Sequence, residues 1–367
     1  MNIAIIGCGR VAGHHCNSIK MTSRLKLVAV CDLNLNRARL LGLKYNVEYF
    51  DNYIKMLSTL SKKIDIVAII TPSGMHYTHA MDVMKRFKKH IIVEKPTFMK
   101  PSEVKLAYNY SKKYNLKIFP VFQNRYNLAV KRVKRAIENN ELGKINIVNV
   151  RVRWCRPQRY YDLSEWRGTF SHDGGALTNQ GIHHVDLLRY LVGEVEEVFC
   201  LMNTFGAKIE VEDSAVATVK YKSGTIGTLE VTTSARPDDF EASISLVGDK
   251  GLAQIGGVAV NELQIFTPNP PDCIKYSDKY SDLDEIGKVY GRGHHDIYKF
   301  IKLNFYSKIK YPVNDKDCYK TIKLLHSFYK SNEVKKTIKL LSKFESNYLG
   351  RKNNKITKLY ITKNNSE

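Results

Sequence analysis

Paired cysteines are missing from this chain of 367 residues: its seven cysteines stand at 8, 16, 31, 155, 200, 273 and 318, never as Cys-x-x-Cys. That scatter excludes a cysteine-held zinc module and supplies no disulfide framework, so a reducing compartment, the cytoplasm, is expected. Long apolar runs are missing too. No stretch approaches the ~20 residues that cross a bilayer, which excludes a helical membrane span. The apolar start Asn2 to Ile6 is short and has no basic segment before it, so no cleaved signal peptide is expected. The chain also has no H-E-x-x-H pattern, no helix-turn-helix, no aromatic RNA-binding pattern and no internal repeat. Neither a metal nor a nucleic-acid partner is expected.

The most local absence is of lysine. Lysine outnumbers arginine 41 to 17 over the chain, yet residues 151–200 hold no lysine and six arginines, at 151, 153, 156, 159, 167 and 189. Arginine's planar fork grips carboxylate or phosphate through two hydrogen bonds, where lysine offers a hydrated point charge. This stretch is therefore the first candidate for an anion site. The overall balance is +22, from 58 basic and 36 acidic side chains, but residues 331–367 carry only +6 of it. Charge spread over the body reads as a solvated basic surface, not as a nucleic-acid footprint.

The length is about twice the ~150 residues of a typical domain, which predicts two domains. Over residues 1–123, short apolar runs at Asn2 to Ile6, Leu25 to Cys31, Asp65 to Thr71, His90 to Val93 and Lys117 to Phe122 alternate with amphipathic stretches at Asn34 to Leu43, Tyr77 to Lys88 and Ser102 to Tyr114. Alternating strands and helices predict an α/β domain with a doubly wound parallel sheet. After a helix near Asn127 to Asn140 the period changes to two: Ile145 to Trp154, Val195 to Asn203, Ser214 to Tyr221, Thr225 to Ser234 and Glu241 to Gly248 read as strands, with turns at Ser223-Gly224 and Gly248 to Gly251. Residues 124–340 are thus expected to form an α+β domain with a large, mostly antiparallel open sheet, interrupted by a helix at Gly181 to Leu191. Helices return at His295 to Leu303 and Asp315 to Ser331, and residues 341–367 read as a basic polar tail. An open sheet with one uncovered face predicts a homodimer or homotetramer through that face.

Three motifs carry chemistry. The first strand runs into Gly7-Cys8-Gly9-Arg10-Val11-Ala12, a G-x-G-x-x-A turn before a helix, and Asp32 closes the second strand 23 residues after Gly9. The glycines admit a pyrophosphate to the helix N-terminus, and the carboxylate accepts ribose hydroxyls while repelling a 2′-phosphate, which favours NAD over NADP in a Rossmann domain. Arg37 and Arg39 leave room for NADP. The fourth and fifth strands end in Thr71-Pro72-Ser73-Gly74-Met75-His76 and Glu94-Lys95-Pro96. Charged residues directly after an apolar strand need a task or a partner, and Glu94 itself could be the partner of Lys95. The third motif is the glycine-rich run Asp173 to Asp186, in which Asn179 and His183 stand four apart and share a helical face, while His184 points off it.

G-C-G-R-V-A, Glu94-Lys95-Pro96 and the N-x-x-x-H-x-x-D stretch together resemble the Gfo/Idh/MocA oxidoreductase family over almost the whole chain. Within it, Gln123-Asn124-Arg125-Tyr126, R-W-C-R-P-Q-R-Y-Y-D and N-Q-G-I-H-H-V-D-L-L resemble the branch that oxidises C3 of UDP-N-acetylglucosaminuronate for bacterial surface polysaccharides. The resemblance implies that Gly7, Gly9, Arg10, Val11, Asp32, Thr71, Pro72, Ser73 and His76 line NAD, with Glu94, Lys95, Gln123 and Arg167 near its nicotinamide end. It implies Lys95 and His183 as catalytic residues. Arg125, Arg153, Arg156, Gln158, Arg159, Tyr160, Tyr161, Trp166 and Asn179 would hold a UDP-sugar. The commoner family motif has Asp at the position of Asn179, which leaves open whether Lys95 or His183 takes the proton. A dehydrogenase of another sugar or of inositol, and an NAD-sensing regulator without turnover, are the competing readings.

Overall fold

Apolar runs of four to six residues bounded by turn residues fold as buried parallel strands because both faces of such a sheet are covered by helices. The computed structural model describes residues 1–279 and 291–362. In its first sheet, β1 (Asn2–Ile6), β2 (Lys26–Cys31), β3 (Glu48–Phe50), β4 (Ile66–Ile69), β5 (His90–Val93) and β6 (Ile118–Pro120) lie in the order β3-β2-β1-β4-β5-β6, all parallel. Strand order reverses beside β1, the crevice where ligands bind in doubly wound sheets. Asn34 and Asn52 cap the helices Leu35–Tyr45 and Tyr53–Thr59, accepting from the amides of Arg37 and Lys55. Gly7 carries φ +102°, and a Cβ there would lie 2.4 Å from the carbonyl oxygen of Ile70, so only glycine lets β1 turn beside β4.

The second sheet contains β7 (Ile145–Arg153), β8 (Val195–Asn203), β9 (Ser214–Tyr221), β10 (Ile226–Thr232), β11 (Glu241–Gly248), β12 (Leu252–Gly256), β13 (Glu262–Phe266) and β14 (Ile338–Lys339). Their order is β13-β12-β11-β7-β10-β9-β8-β14, antiparallel except for the β7–β10 pair. Alternation along β9 buries Ala215, Ala217, Val219 and Tyr221 on one face and exposes Val216, Thr218 and Lys220 on the other. Ile147, Leu201 and Ile226 are exposed as well. No helix among the described residues is long and apolar enough to cross a membrane.

The described residues pass between two compact units four times: Met1–Val121, His294–Tyr319 and residues 352–362 form one, and residues 122–279 and 291–293 with Lys320–Arg351 the other. The return has a packing cause: the helix Gly293–Tyr306 buries His294, Ile297, Tyr298 and Ile301, and Tyr298 meets His15 of the first unit. The expected tail holds a short helix, Asn354–Lys358, while its residues 363–367 lie outside the described residues.

Within the second unit the expected helix at Gly181 to Leu191 is present, but Asn179, expected on one helical face with His183, lies in a π turn before it. Gly181 donates to the carbonyl of Ala176, the i→i+5 bond of a π turn spanning Ala176–Gln180, and the α-helix Ile182–Val192 begins only after it. Glu212 organises this turn. Its carbonyl accepts from the Ala176 amide at 3.0 Å, and Oε1 accepts from the Leu177 amide at 3.0 Å and lies 2.7 Å from the Tyr329 hydroxyl. At Gly175, φ +83°, a Cβ would sit 2.1 Å from Glu212 Oε2. The Tyr329 hydroxyl also donates to the carbonyl of Gly174. A hydroxyl has one hydrogen, so if Gly174 takes it, Glu212 must bring its own.

Burial agrees with that count, pushing the Glu212 carboxyl up to about 8 from an ordinary 4.5. A folded value above the unfolded one means that the native state holds a proton the unfolded state has lost. Stability from this group is therefore complete below pH 4.5 and drains away as pH rises to about 8, at up to about 1.4 kcal/mol per pH unit. Glu212→Gln keeps the uncharged shape. Urea unfolding of both proteins from pH 5 to 8 should show a stability loss in wild type that the variant lacks; parallel curves would mean Glu212 is ionised when folded.

Candidate active site

The dinucleotide residues of the first unit sit where strands β1, β2, β4 and β5 end. Val11 precedes the helix Ala12–Met21 without a side-chain cap, Gly9 has nothing within 4 Å of its missing Cβ, and Gly9 and Arg10 are exposed. An uncapped helix start behind an open glycine is a cradle for phosphate. Asp32 Oδ2 accepts the Cys8 amide at 2.8 Å and Oδ1 the Asn34 amide at 2.9 Å, so one carboxylate pins the glycine turn to the second strand's end. These residues fit NAD on two observations: the glycine cradle that a side chain would fill, and a half-buried carboxylate just after β2, beside the glycine turn.

Thr71, Pro72 and Ser73 form the turn after β4. The Thr71 hydroxyl lies 3.0 Å from Nδ1 of His79, whose imidazole burial pushes down to about 4. The ring nitrogens of His76 face two carbonyls, Nδ1 at 2.8 Å from Pro96 and Nε2 at 2.9 Å from Thr71; burial pushes the imidazole down, and a neutral ring has one N–H to give to one of them. The imidazole sits between the turn after β4 and the Glu94-Lys95-Pro96 turn. Glu94 is buried and Lys95 half-buried.

In the second unit, Gln123 lies buried in the turn Gln123–Tyr126, and its Oε1 has no hydrogen-bond partner among the described residues. Arg125 departs from expectation. Its guanidinium is buried and forked onto Asp186 by two bonds of 2.6 Å, with the Tyr190 ring 4.5 Å away, so its fork is spent on its own chain. Arg153 is likewise engaged, by Glu230 at 2.6 and 2.9 Å and Glu241 at 3.3 Å. Both guanidinium groups thus meet carboxylates of their own chain, which the sequence, showing arginines without showing what folds against them, did not reveal.

Arg156 pairs with Asp239 at 2.7 Å, reaches Gln180 Oε1 at 3.3 Å and lies 5.6 Å from the Tyr160 ring. Arg167 stacks over the rings of Tyr160, at 4.2 Å, and Trp166, at 4.9 Å. Gln158 bridges Asp162 and the Lys208 amide, and Tyr161 is buried with its hydroxyl 2.9 Å from Thr233 Oγ1. Arg159 is exposed and makes no hydrogen bond or ion pair among the described residues. Arg156 and Arg167 are thus held at the Tyr160 ring, and Arg159 is exposed one residue before it in the chain.

Asn179 is buried and donates to Asp173 Oδ1, whose other oxygen accepts the Gly168 amide at 2.7 Å. A carboxylate therefore stands beside Asn179 although the motif position itself has none. His183 is buried at the start of the helix Ile182–Val192, and His184 lies wholly buried against the edge of Trp154, centroids 5.9 Å apart. Burial pushes the His184 imidazole down to about 4. Glu212 and Tyr329, which help set this segment, carried no motif signal. Only the glycines at 174 and 175 pointed to a close neighbour.

Two family models match the chain: the oxidoreductase family with an NAD-binding Rossmann fold over residues 1–122, and the GFO/IDH/MocA C-terminal domain over residues 130–254. The D-glucoside 3-dehydrogenase of Escherichia coli is 30% identical over 295 residues, covering 73% of this chain and 79% of that one. The myo-inositol 2-dehydrogenase of Thermotoga maritima is 28% identical, covering 68% and 74%. The WlbA dehydrogenase of Chromobacterium violaceum, solved with NADH and UDP-GlcNAcA, superposes with a TM-score of 0.83 at 32% identity over 94% of this chain and 97% of that one. Its counterpart from Bordetella pertussis, solved with the same two molecules, gives 0.81 at 30% identity over 92% and 98%. With both halves matched, the chain belongs to the Gfo/Idh/MocA oxidoreductase family and carries its NAD-binding Rossmann domain.

Proposed function

We propose that the protein oxidises the C3 hydroxyl of UDP-N-acetylglucosaminuronic acid to the 3-keto sugar nucleotide, in the building of bacterial surface-polysaccharide sugars. The likeness at 30–32% identity to two dehydrogenases solved with NADH and UDP-GlcNAcA, over more than nine-tenths of the chain, carries this reading. The arginines around Tyr160 support it, since a uronate and a diphosphate need a forked donor and a free sugar or polyol does not. NAD, when bound, accepts the hydride at its nicotinamide. Lys95 holds the C3 hydroxyl and His183 takes its proton, Asn179 and Asp173 fixing the segment that carries the histidine. Arg159, Arg167 and Arg156 hold the acidic groups of the sugar nucleotide. The E. coli glucoside dehydrogenase at 30% identity favours the second reading, a dehydrogenase of another sugar.

A panel of sugar nucleotides, free sugars and inositols followed by NADH absorbance separates the two. UDP-N-acetylglucosaminuronic acid should be turned over and free sugars should not; the reverse order would establish the second reading. On the accepted substrate His183→Ala should lower kcat ~10² to 10⁴-fold, whereas His184→Ala should cost stability through its cavity and leave kcat within a few-fold. Arg159→Lys should raise KM for the sugar nucleotide without changing NAD binding.

The exposed face of the second sheet, with Ile147, Leu201, Val216 and Ile226 in the open, is proposed as a homodimer or homotetramer interface. Sedimentation should give an oligomer for wild type and a monomer for Val216→Glu/Ile226→Glu. A monomeric wild type would end this proposal.

A further inference from the structure

The carboxyl end of β5 holds a buried cluster that the proposed chemistry leaves without a task. Glu94 Oε1 lies 3.0 Å from Nε2 of His15 and 3.1 Å from Nε2 of His294, while its Oε2 accepts the Lys95 amide at 2.9 Å. Nδ1 of His15 lies 2.8 Å from the Tyr298 hydroxyl. All four side chains are buried, and all belong to the first unit: His15 on the helix Ala12–Met21, His294 and Tyr298 one turn apart on Gly293–Tyr306.

Proton counting fixes the arrangement. Burial pushes the Glu94 carboxyl up, but the hydrogen bonds from His15 and His294 outweigh it and hold the group well below its ordinary value. An ionised carboxylate only accepts, so each ring must present Nε2–H to it. Burial pushes the His294 imidazole down, which keeps that ring neutral. The Tyr298 hydroxyl lies 2.8 Å from the other ring nitrogen of His15, Nδ1, and a hydrogen bond donated there favours the tautomer with its proton on Nε2.

We propose that His15 and His294, with Tyr298 behind His15, are positioning residues for Lys95. Two imidazole donors on one oxygen orient the Glu94 carboxylate so that the other oxygen grips the Lys95 amide, and the backbone from which the lysine side chain departs is thereby fixed. None of the three touches substrate in this scheme. The role of Lys95 rests on the proposed function, so the test needs one arm that does not use the substrate.

His15→Leu and His294→Leu remove a donor, and His15→Gln and His294→Gln restore an N–H at similar reach. With NAD and UDP-N-acetylglucosaminuronic acid, the Leu variants should lose kcat tenfold or more with KM for NAD within twofold, and the Gln variants should recover most of it. The second arm reads the rate of acetylation of Lys95 by acetic anhydride, by mass spectrometry of its peptide. It should change several-fold in the Leu variants and return towards wild type in the Gln variants. If wild type forms no NADH from this sugar nucleotide while the acetylation pattern holds, the substrate reading falls and the positioning role stands. Equal Lys95 reactivity in wild type, Leu and Gln proteins overturns it. So does stoichiometric zinc in the purified protein, since His15, Glu94 and His294 bring ligand atoms within 4.8 Å of one another and would then be a metal site. Should the Leu variants fail to fold, Tyr298→Phe carries the test through the tautomer alone: a several-fold change in Lys95 acetylation supports the proposal, and no change overturns it.

Discussion

A carboxylate buried at the end of a parallel strand must find donors for both oxygens or lose its charge, and Glu94 satisfies that constraint with groups from three segments of the chain. One donor is the backbone of its neighbour, one comes from the first helix, and one from a helix almost two hundred residues later. The late helix is the reason that residues 294–319 pack with the first unit. His76 adds a second contact, its ring nitrogens facing the carbonyls of Thr71 and Pro96. The turns that end β4 and β5 are thus held by buried, hydrogen-bonded side chains, which is what a site for a rigidly oriented cofactor requires.

The second unit answers the same constraint in the opposite way. Glu212 faces a tyrosine hydroxyl whose hydrogen is also claimed by Gly174, and its Oε2 has no partner among the described residues. With too few donors the carboxyl keeps its proton, and burial pushes it up to about 8. Glu94, with three donors, stays ionised. Donor count, and not depth, decides between the two charge states. Glu230 follows the same logic, the Arg153 fork on its carboxylate holding it below its ordinary value.

Much of the architecture was legible in the residues. Periods of two and of alternating apolar and amphipathic runs gave both sheets, and β8, β9 and β11 begin and end at the expected residues. β3, β12 and β13 were missed, because three to five residues with exposed members carry too little periodicity. The π turn was illegible, since its extra residue is imposed by Glu212 and Gly175 from outside the segment. The arginine cluster was visible as composition, but composition is silent on Glu230 and Asp239, which pair with Arg153 and Arg156. His15 and His294 stood in plain view as residue types. What made them partners was long-range packing around Glu94, and no local pattern encodes that.

The central claim is that this fold removes a hydride from C3 of an acidic sugar nucleotide. Incubating NAD with UDP-N-acetylglucosaminuronic acid deuterated at C3 and weighing the nicotinamide product by mass spectrometry tests it directly. The account predicts reduced cofactor one mass unit heavier than that from unlabelled substrate. Reduced cofactor of unchanged mass would place the oxidation at another carbon and contradict the account.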